Sequence, residues 1–235
     1  MAYPVAVILC YITDRSQFPG TDSERRLALL ERIRQAAIAG VDLIQLREKD
    51  LTARALETLA SEALTIVRAE GSRTRLLINS RLDIALAVGA DGVHLTSSDI
   101  NAAEARSIVS HASIARNRAF LITAACHSAA DVRLAESHGA DFAVLAPIFG
   151  KQLPNSAALS GIGLSTLRAA TQIDEAPDLR VEAGDRRTPM PVLALGGITT
   201  ANAKDCMRAG AVGIAGIRLF QSGEMTDTMA QLRLL

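Results

Sequence analysis

The sequence has no tryptophan, and aromatic residues make up only 3% of its 235 positions. So sparse an aromatic set argues against a carbohydrate-binding cleft and against a surface that stacks nucleic-acid bases. Charge of one sign is also missing. Lys+Arg and Asp+Glu are each 25, so the formal net charge is zero. No global field favours DNA, RNA or an anionic membrane, and neither nucleic acid nor membrane is expected as a partner. Cysteine is scarce: Cys10, Cys126 and Cys206 stand alone, with no C-x-x-C spacing. That argues against a disulfide framework and against structural zinc. No apolar run reaches the ~18 residues of a membrane span. The first apolar run is short and ends on Asp14 and Arg15, unlike a signal peptide, so a cytoplasmic location is expected. The dinucleotide fingerprint G-x-G-x-x-G is absent after that run, where T-D-R-S-Q-F-P-G stands instead.

What is present is an apolar content of 49%, enough for a substantial core. A junction recurs four times, in which a helix-like run ends on Gly and a short apolar strand begins at once. It reads A-G-V-D-L-I-Q from Ala39, V-G-A-D-G-V-H from Val88, H-G-A-D-F-A-V from His138 and A-G-A-V-G-I-A from Ala209. Glycine adopts the left-handed conformation that stops a helix. A stop this tight returns the chain directly into a strand, which implies β-α units and a parallel sheet. The fourth junction carries Val212 where the others carry Asp, so its strand is expected to start differently.

Eight strand candidates follow from short β-rich apolar runs: Val5–Ile12, Asp42–Arg47, Arg75–Asn79, Gly92–Leu95, Phe120–Ala124, Phe142–Leu145, Pro191–Leu195 and Gly213–Ile217. Eight segments of helical periodicity alternate with them, beginning with Ser23–Ala39 and Leu51–Ala69 and ending with Glu224–Leu234. This pattern predicts an α/β fold of the (βα)8 TIM-barrel type, one domain over residues 1–235, with a doubly wound open sheet as the alternative. Two stretches interrupt it. Gly150–Gly163 is small, polar and turn-rich, as an active-site lid would be, and Ile173–Pro191 reads as a variable connection on the opposite face.

A barrel carries its site at the C-terminal ends of its strands. Alternation after strand two aims Gln45, Arg47 and Lys49 to one side, a set suited to a polar heterocycle bearing phosphate or diphosphate. The competing reading is a salt-bridged strand end, with Arg47 paired to Glu48 or Asp50. Strand three ends on Asn79, strand four runs to Asp99, and strand five ends Cys126-His127. His127 stands where an acid or base would work, whereas Cys126 reads as packed. His111 and His138 fall near helix ends and are expected to face solvent. Gly196-Gly197 after strand seven and Gly216 on strand eight let backbone approach a ligand, the usual phosphate position in barrels, although a tight turn alone would also use them.

Together these segments resemble the thiamine phosphate synthase / TenI family. The resemblance runs from Tyr11-Ile12-Thr13-Asp14 to Phe220 and rests on the ordered motifs Q-L-R-E-K-D, N-S-R-L-D-I-A-L-A-V-G-A-D-G-V-H-L, C-H-S, G-A-D-F-A-V-L-A-P-I-F, P-V-L-A-L-G-G-I and A-G-A-V-G-I-A. It implies a (βα)8 barrel in which Gln45, Arg47, Lys49 and Asn79 bind a pyrimidine diphosphate. It also implies that Asp99 helps to hold Mg2+, and that Gly196, Gly197, Gly216, Ile217 and Arg218 hold a thiazole phosphate. The chain departs from the family at three places. Ser80 stands for the first metal-binding Asp, Ala125 for a Ser, and G-K-Q-L-P-N for a Thr-x-Thr-Lys, where Lys151 could replace the lost Lys. The implied activity is synthesis of thiamine phosphate, with Arg47, Lys49 and His127 at the chemistry and phosphorylated small molecules as substrates. A TenI-like thiazole tautomerase is the alternative, needing His127 and no metal. A non-catalytic binder of thiazole or thiamine phosphate is a third reading. Whether the protein forms a homo-oligomer is left open by the sequence.

Overall fold

A computed structural model of the chain describes residues 7–112, 120–150, 160–171 and 189–235. The expected lid and connection therefore lie largely outside the described residues, as does Lys151. Eight parallel strands close into a barrel in chain order. They are β1 (Ile8–Ile12), β2 (Leu43–Leu46), β3 (Arg75–Asn79), β4 (Gly92–Leu95), β5 (Leu121–Cys126), β6 (Phe142–Leu145), β7 (Val192–Ala194) and β8 (Gly213–Gly216). The connecting helices are α1 (Asp22–Ile38), α2 (Ala53–Ala69), α3 (Leu82–Val88), α4 (Ala102–His111), α5 (Ala129–Ser137), α6 (Gly163–Thr171) and α7 (Ala203–Arg208), with α8 (Arg218–Gln221) and α9 (Met225–Leu232) closing the chain. The predicted (βα)8 barrel is the observed fold. β1 and β7 are shorter than their apolar runs, and β5 extends two residues further, to Cys126.

Helix starts are set by side chains. Thr21 with Glu24 and Asn101 with Glu104 form capping boxes at α1 and α4. Each box satisfies two N–H groups that the helix cannot, a stabilisation of about 1 kcal/mol. Before α7, Thr199 exchanges hydrogen bonds with Asn202 (2.8 and 3.4 Å), and the helix starts at Ala203.

All four return glycines have positive φ: Gly40 77°, Gly89 68°, Gly139 74° and Gly210 95°. The Asp that follows three of them has a definite task. Asp42 Oδ2 accepts from the Leu9 N–H at 2.7 Å, Asp91 Oδ2 from Leu76 at 2.9 Å and Asp141 Oδ2 from Ile122 at 2.7 Å. Each carboxylate thus clasps the start of an odd strand from the even strand beside it. Arg233 and Arg106 ion-pair with Asp42 and Asp141 at 2.9 and 2.8 Å. Val212 has no such oxygen, so the β7–β8 pair starts on its backbone bond alone, Val212 N–H to the Val192 carbonyl at 3.0 Å.

Strand alternation splits the core in two. Leu9, Tyr11, Ile44, Leu46, Ile78, Val93, Ile122, Leu145, Val192 and Ile214 face outward to the helices. Cys10, Ile12, Leu43, Leu77, Val144, Leu193 and Ala215 fill the barrel interior. Closure requires β1 to lie on β8, with Ile8 opposite Gly213 and Tyr11 opposite Gly216. A Cβ at Gly213 would run into the Ile8 carbonyl oxygen, so the seam closes because that residue has no side chain. Gly213→Ala should cost about 3 kcal/mol through overpacking. Gly40→Ala, which meets nothing within 4 Å, should cost only the left-handed backbone term of about 1–2 kcal/mol. Urea unfolding of both variants checks this, and equal losses would contradict the assignment of Gly213 to the seam.

Candidate active site

The C-terminal ends of β2, β3, β4 and β5 place Gln45, Asn79, His94 and Thr123 on the inner side, in register. Gln45 pairs with Leu77, Asn79 with His94, and His94 with Thr123. Gln45 is 2% exposed, and its Nε2 donates to Asn79 Oδ1 at 2.8 Å. Asn79 Nδ2 in turn donates to Ser80 Oγ at 3.1 Å. Gln45 Oε1 accepts no hydrogen bond among the described residues, which leaves it open to an incoming N–H. Ser80 has φ 61°, the sole non-glycine residue at positive φ among those described, and its N–H donates to the His94 carbonyl at 2.8 Å.

His94 is the site residue that sequence reasoning passed over. It is buried, and its Nδ1 lies 2.8 Å from Thr123 Oγ1. Thr123 Oγ1 also lies 3.5 Å from the Val93 carbonyl, so the hydroxyl stands between the imidazole and the β4 backbone. Burial pushes its pKa down from 6.5 to about 4; Asp99 opposes the shift and Arg47 adds to it. His94 is therefore a neutral polar group at neutral pH. The only sequence signal for it was its place as the last inward position of a strand.

The competing reading, in which Arg47 pairs with Glu48 or Asp50, is not what the structure shows. Both acids are taken by Arg15. Its Nη1 and Nη2 hold Asp50 at 2.6 and 2.8 Å, and its Nη1 reaches Glu48 Oε2 at 3.3 Å. Arg47 is half-buried and Lys49 exposed, and neither side chain has an ion pair among the described residues. Thr13 joins the two loops: it accepts from the Arg47 N–H at 2.9 Å and donates to Glu48 Oε1 at 2.6 Å. Thr13, Arg15 and Glu48 are all buried.

Asp99 and His127 line a cavity of about 220 Å³ that also includes Thr96, Ile100, Leu134 and His138. Asp99 Oδ2 accepts from Thr96 N and Oγ1 at 2.7 and 2.8 Å, and its Oδ1 accepts no hydrogen bond among the described residues. No group of three His, Cys, Asp or Glu stands together among the described residues. One free carboxylate oxygen nevertheless fits Mg2+, which commonly takes one or two carboxylates and fills its shell with water and phosphate oxygens. His127 is exposed, and its Nδ1 lies 2.8 Å from the Ala146 carbonyl. A carbonyl only accepts, so Nδ1 is the donor here, and Nε2 has no hydrogen-bond partner among the described residues. His138 is half-buried against this cavity and does not face solvent freely, whereas His111 is exposed as expected. Cys126 is buried with its pKa raised to about 12 by burial and by Asp131, which removes it as a nucleophile.

At the far side of the mouth, Gly196 and Gly197 have φ 100° and 64°. Cβ atoms there would come within 2.7 Å of Pro147 Cα and 2.8 Å of Phe149 Cβ. The pair lets the β7 end lie on the β6 loop, where Ile148 N–H donates to Leu195 and Phe149 N–H to Gly196 (2.8 and 3.0 Å). The tight-turn reading therefore holds for these glycines alongside any ligand role. Gly197 is exposed, Gly216 ends β8, Ile217 packs on the barrel interior and caps α8, and Arg218 is exposed without an ion pair among the described residues.

His94 makes the fold's stability depend on pH. Its folded pKa lies below the unfolded value of 6.5, so the unfolded chain binds more protons in between. Its contribution is complete above about pH 6.5 and is lost towards about pH 4, at up to about 1.4 kcal/mol per pH unit. Urea unfolding between these limits should show a slope shallower by up to one proton in His94→Gln. Identical slopes in the two proteins would contradict the assignment.

The chain is similar to several known proteins. The sequence model of the family described as thiamine monophosphate synthase matches residues 9–220. A thiamine-phosphate synthase of Roseiflexus castenholzii is 37% identical over 208 residues, 88% of this chain and 78% of that protein. The thiamine-phosphate synthase of Methanoculleus marisnigri is 36% identical over 201 residues, 85% of this chain and 84% of that one. Among solved structures, a thiamine phosphate pyrophosphorylase from Pyrococcus furiosus superposes with a TM-score of 0.71 at 27% identity, covering 97% of this chain and 94% of that one. A 3-hexulose-6-phosphate synthase, at 17% identity and a TM-score of 0.59, shares the fold.

Proposed function

The chain belongs to the thiamine monophosphate synthase family, and from that premise we propose that it is a thiamine-phosphate synthase. It joins hydroxymethylpyrimidine diphosphate to thiazole phosphate and releases diphosphate. The observation that carries this reading is the mouth of β2 and β3. There a hydrogen-bonded amide pair, Gln45 and Asn79, stands beside two cations, Arg47 and Lys49, that have no ion-pair partner among the described residues. A proton shift on a single thiazole phosphate would not need this second set.

In the reaction the bond between the pyrimidine methylene and the diphosphate oxygen breaks. The diphosphate keeps the electron pair, and the thiazole nitrogen bonds to the methylene. Gln45 Oε1 is placed to accept from the pyrimidine amine, with Asn79 fixing its orientation. Arg47 and Lys49 neutralise charge that develops on the leaving group, an electrostatic contribution that a preorganised site makes large. Lys151, outside the described residues, would add to that charge. The exposed Gly197 N–H and the start of α8, with Gly196, Gly216, Ile217 and Arg218, would hold the thiazole phosphate. Asp99 would hold Mg2+, which when bound supplies further charge to the diphosphate. Phosphorylated small molecules are the substrates. Among the described residues no helix is long and apolar enough to cross a membrane. A cytoplasmic enzyme, working as one barrel over the whole chain, suits this reading.

The tautomerase reading is favoured by one feature, the exposed His127, whose Nε2 has no hydrogen-bond partner among the described residues. It predicts metal-independent turnover of a thiazole carboxylate phosphate that His127→Ala abolishes. A binder without turnover would take up thiazole phosphate or thiamine phosphate and convert neither substrate set. The synthase reading predicts Mg2+-dependent formation of thiamine phosphate from the two substrates, with Asp99→Asn lowering the rate by about a hundredfold or more. No product at high enzyme concentration would remove it. Ser80 adds a second check. Its φ of 61° is one that Asp adopts more readily than most side chains, so Ser80→Asp should be accommodated. The half-saturating Mg2+ concentration should then drop about tenfold, a typical effect of an added charged ligand. An unchanged Mg2+ requirement would place the metal elsewhere.

A further inference from the structure

The segment Arg47-Glu48-Lys49-Asp50 alternates in sign along the chain. Left to itself, such a segment neutralises its own cations. In this fold it does not, because a single buried guanidinium from another loop takes the acids. The Arg15 side chain is 8% exposed and forms ion pairs with Asp50 at 2.6 Å, Asp22 at 3.0 Å and Glu48 at 3.3 Å. The grip on Asp50 is bidentate, the strongest geometry open to an Arg–carboxylate pair. The Arg15 N–H also donates to Glu48 Oε2 at 3.0 Å. Arg15 hydrogen bonding lowers the Asp50 pKa and keeps that carboxylate ionised. Burial raises the Glu48 pKa, while Thr13 and Arg15 pull it back. The two acids interleaved with Arg47 and Lys49 are therefore both occupied away from them.

We propose that Arg15 is a positioning residue for anion binding: by holding Asp50 and Glu48 it keeps Arg47 and Lys49 free for the diphosphate of the substrate. The inference rests on the reading that Arg47 and Lys49 contact that diphosphate. Arg15 itself contacts no substrate in this account. It acts through the acids it removes. The 3-10 turn Arg15–Gln17 that carries it is anchored by Asp14, which accepts from Ser16 N at 3.2 Å and Gln17 Nε2 at 2.8 Å. The loop after β1 thus sets the charge state of the loop after β2.

A plain stapling role for Arg15 would have a different signature when Asp50 is removed. If Arg15 only ties two loops together, losing Asp50 once Arg15 is gone repairs nothing. If Arg15 sequesters Asp50, removing Asp50 repairs what the loss of Arg15 damages. The full-length protein is titrated with inorganic pyrophosphate and Mg2+, and the KM for each substrate is measured. Arg15→Met should weaken pyrophosphate binding and raise the KM for the pyrimidine diphosphate about tenfold, with the KM for thiazole phosphate unchanged. Arg15→Met/Asp50→Asn should recover to within about threefold of the parent, a coupling of the size and sign that contacting charges give.

Arg15→Lys keeps the buried charge but cannot hold Asp50 in bidentate fashion. It gives a smaller loss of the same kind, again reversed by Asp50→Asn, should Arg15→Met fail to fold. Either Arg15 variant binding pyrophosphate as the parent does would overturn the proposal, as would a double variant that binds no better than its Arg15 single. Arg47→Met and Lys49→Met, with Arg15 intact, test the underlying reading separately: unchanged pyrophosphate binding in both would remove that reading whatever the Arg15 variants show.

Discussion

Everything at the site depends on the closing of the sheet between its first and last strands. β1 lies on β8 over four residue pairs from Ile8–Gly213 to Tyr11–Gly216. A closed sheet has no unpaired edge, so every strand has its backbone groups satisfied on both sides. Closure also settles which side chains can meet. Once the strands are locked in register, alternate residues must point into a space of fixed width, and the last inward position of each strand reaches the mouth. Gln45, Asn79 and His94 meet there from three strands. The seam closes because Gly213 lets the Ile8 carbonyl come close, so the geometry of the mouth depends on an atom missing from the far end of the barrel.

The two ends of the barrel use carboxylates in different ways. At the N-terminal end, Asp42, Asp91 and Asp141 accept backbone N–H groups from neighbouring strands and hold the register. At the C-terminal end, Glu48 and Asp50 are drawn to Arg15. The first arrangement stabilises the fold. The second leaves Arg47 and Lys49 without an ion pair among the described residues, beside a polar, hydrogen-bonded pocket, an arrangement that suits an anionic ligand. His94, buried and neutral, adds a polar group to that pocket without adding charge.

Much of the fold was legible because it rests on local chemistry. The return glycines stop helices by their own backbone freedom, and each of the four has the positive φ this requires. The strand candidates rested on β-rich apolar runs, and five of the eight differ from the observed strands only at their ends. The site was legible in part. Gln45, Arg47 and Asn79 follow from alternation and from the ends of their strands. Val212 marked a difference at the fourth return, although what the Asp does at the other three could not be read, since its partner lies on a strand 15 to 33 residues earlier. Arg15 was invisible as part of the site, because nothing near it in sequence says that its guanidinium reaches Glu48, 33 residues later, and Asp50, 35 residues later.

The sequence by itself determined the alternation of strands and helices, the parallel architecture and the set of residues that a strand end delivers inward. These depend on periodicity and on single-residue backbone preferences, which act over a few positions. Only the tertiary structure decided the pairing of charges: that Arg15 and not Arg47 holds Glu48 and Asp50, that Gln45 and Asn79 hydrogen-bond across strands, and that Gly196 and Gly197 serve a loop-to-loop contact. Opposite charges within reach in sequence pair only if the fold offers nothing better. Which partner is better is set by burial and bidentate geometry, and these exist only once the loops after β1 and β2 are brought together by the closed barrel.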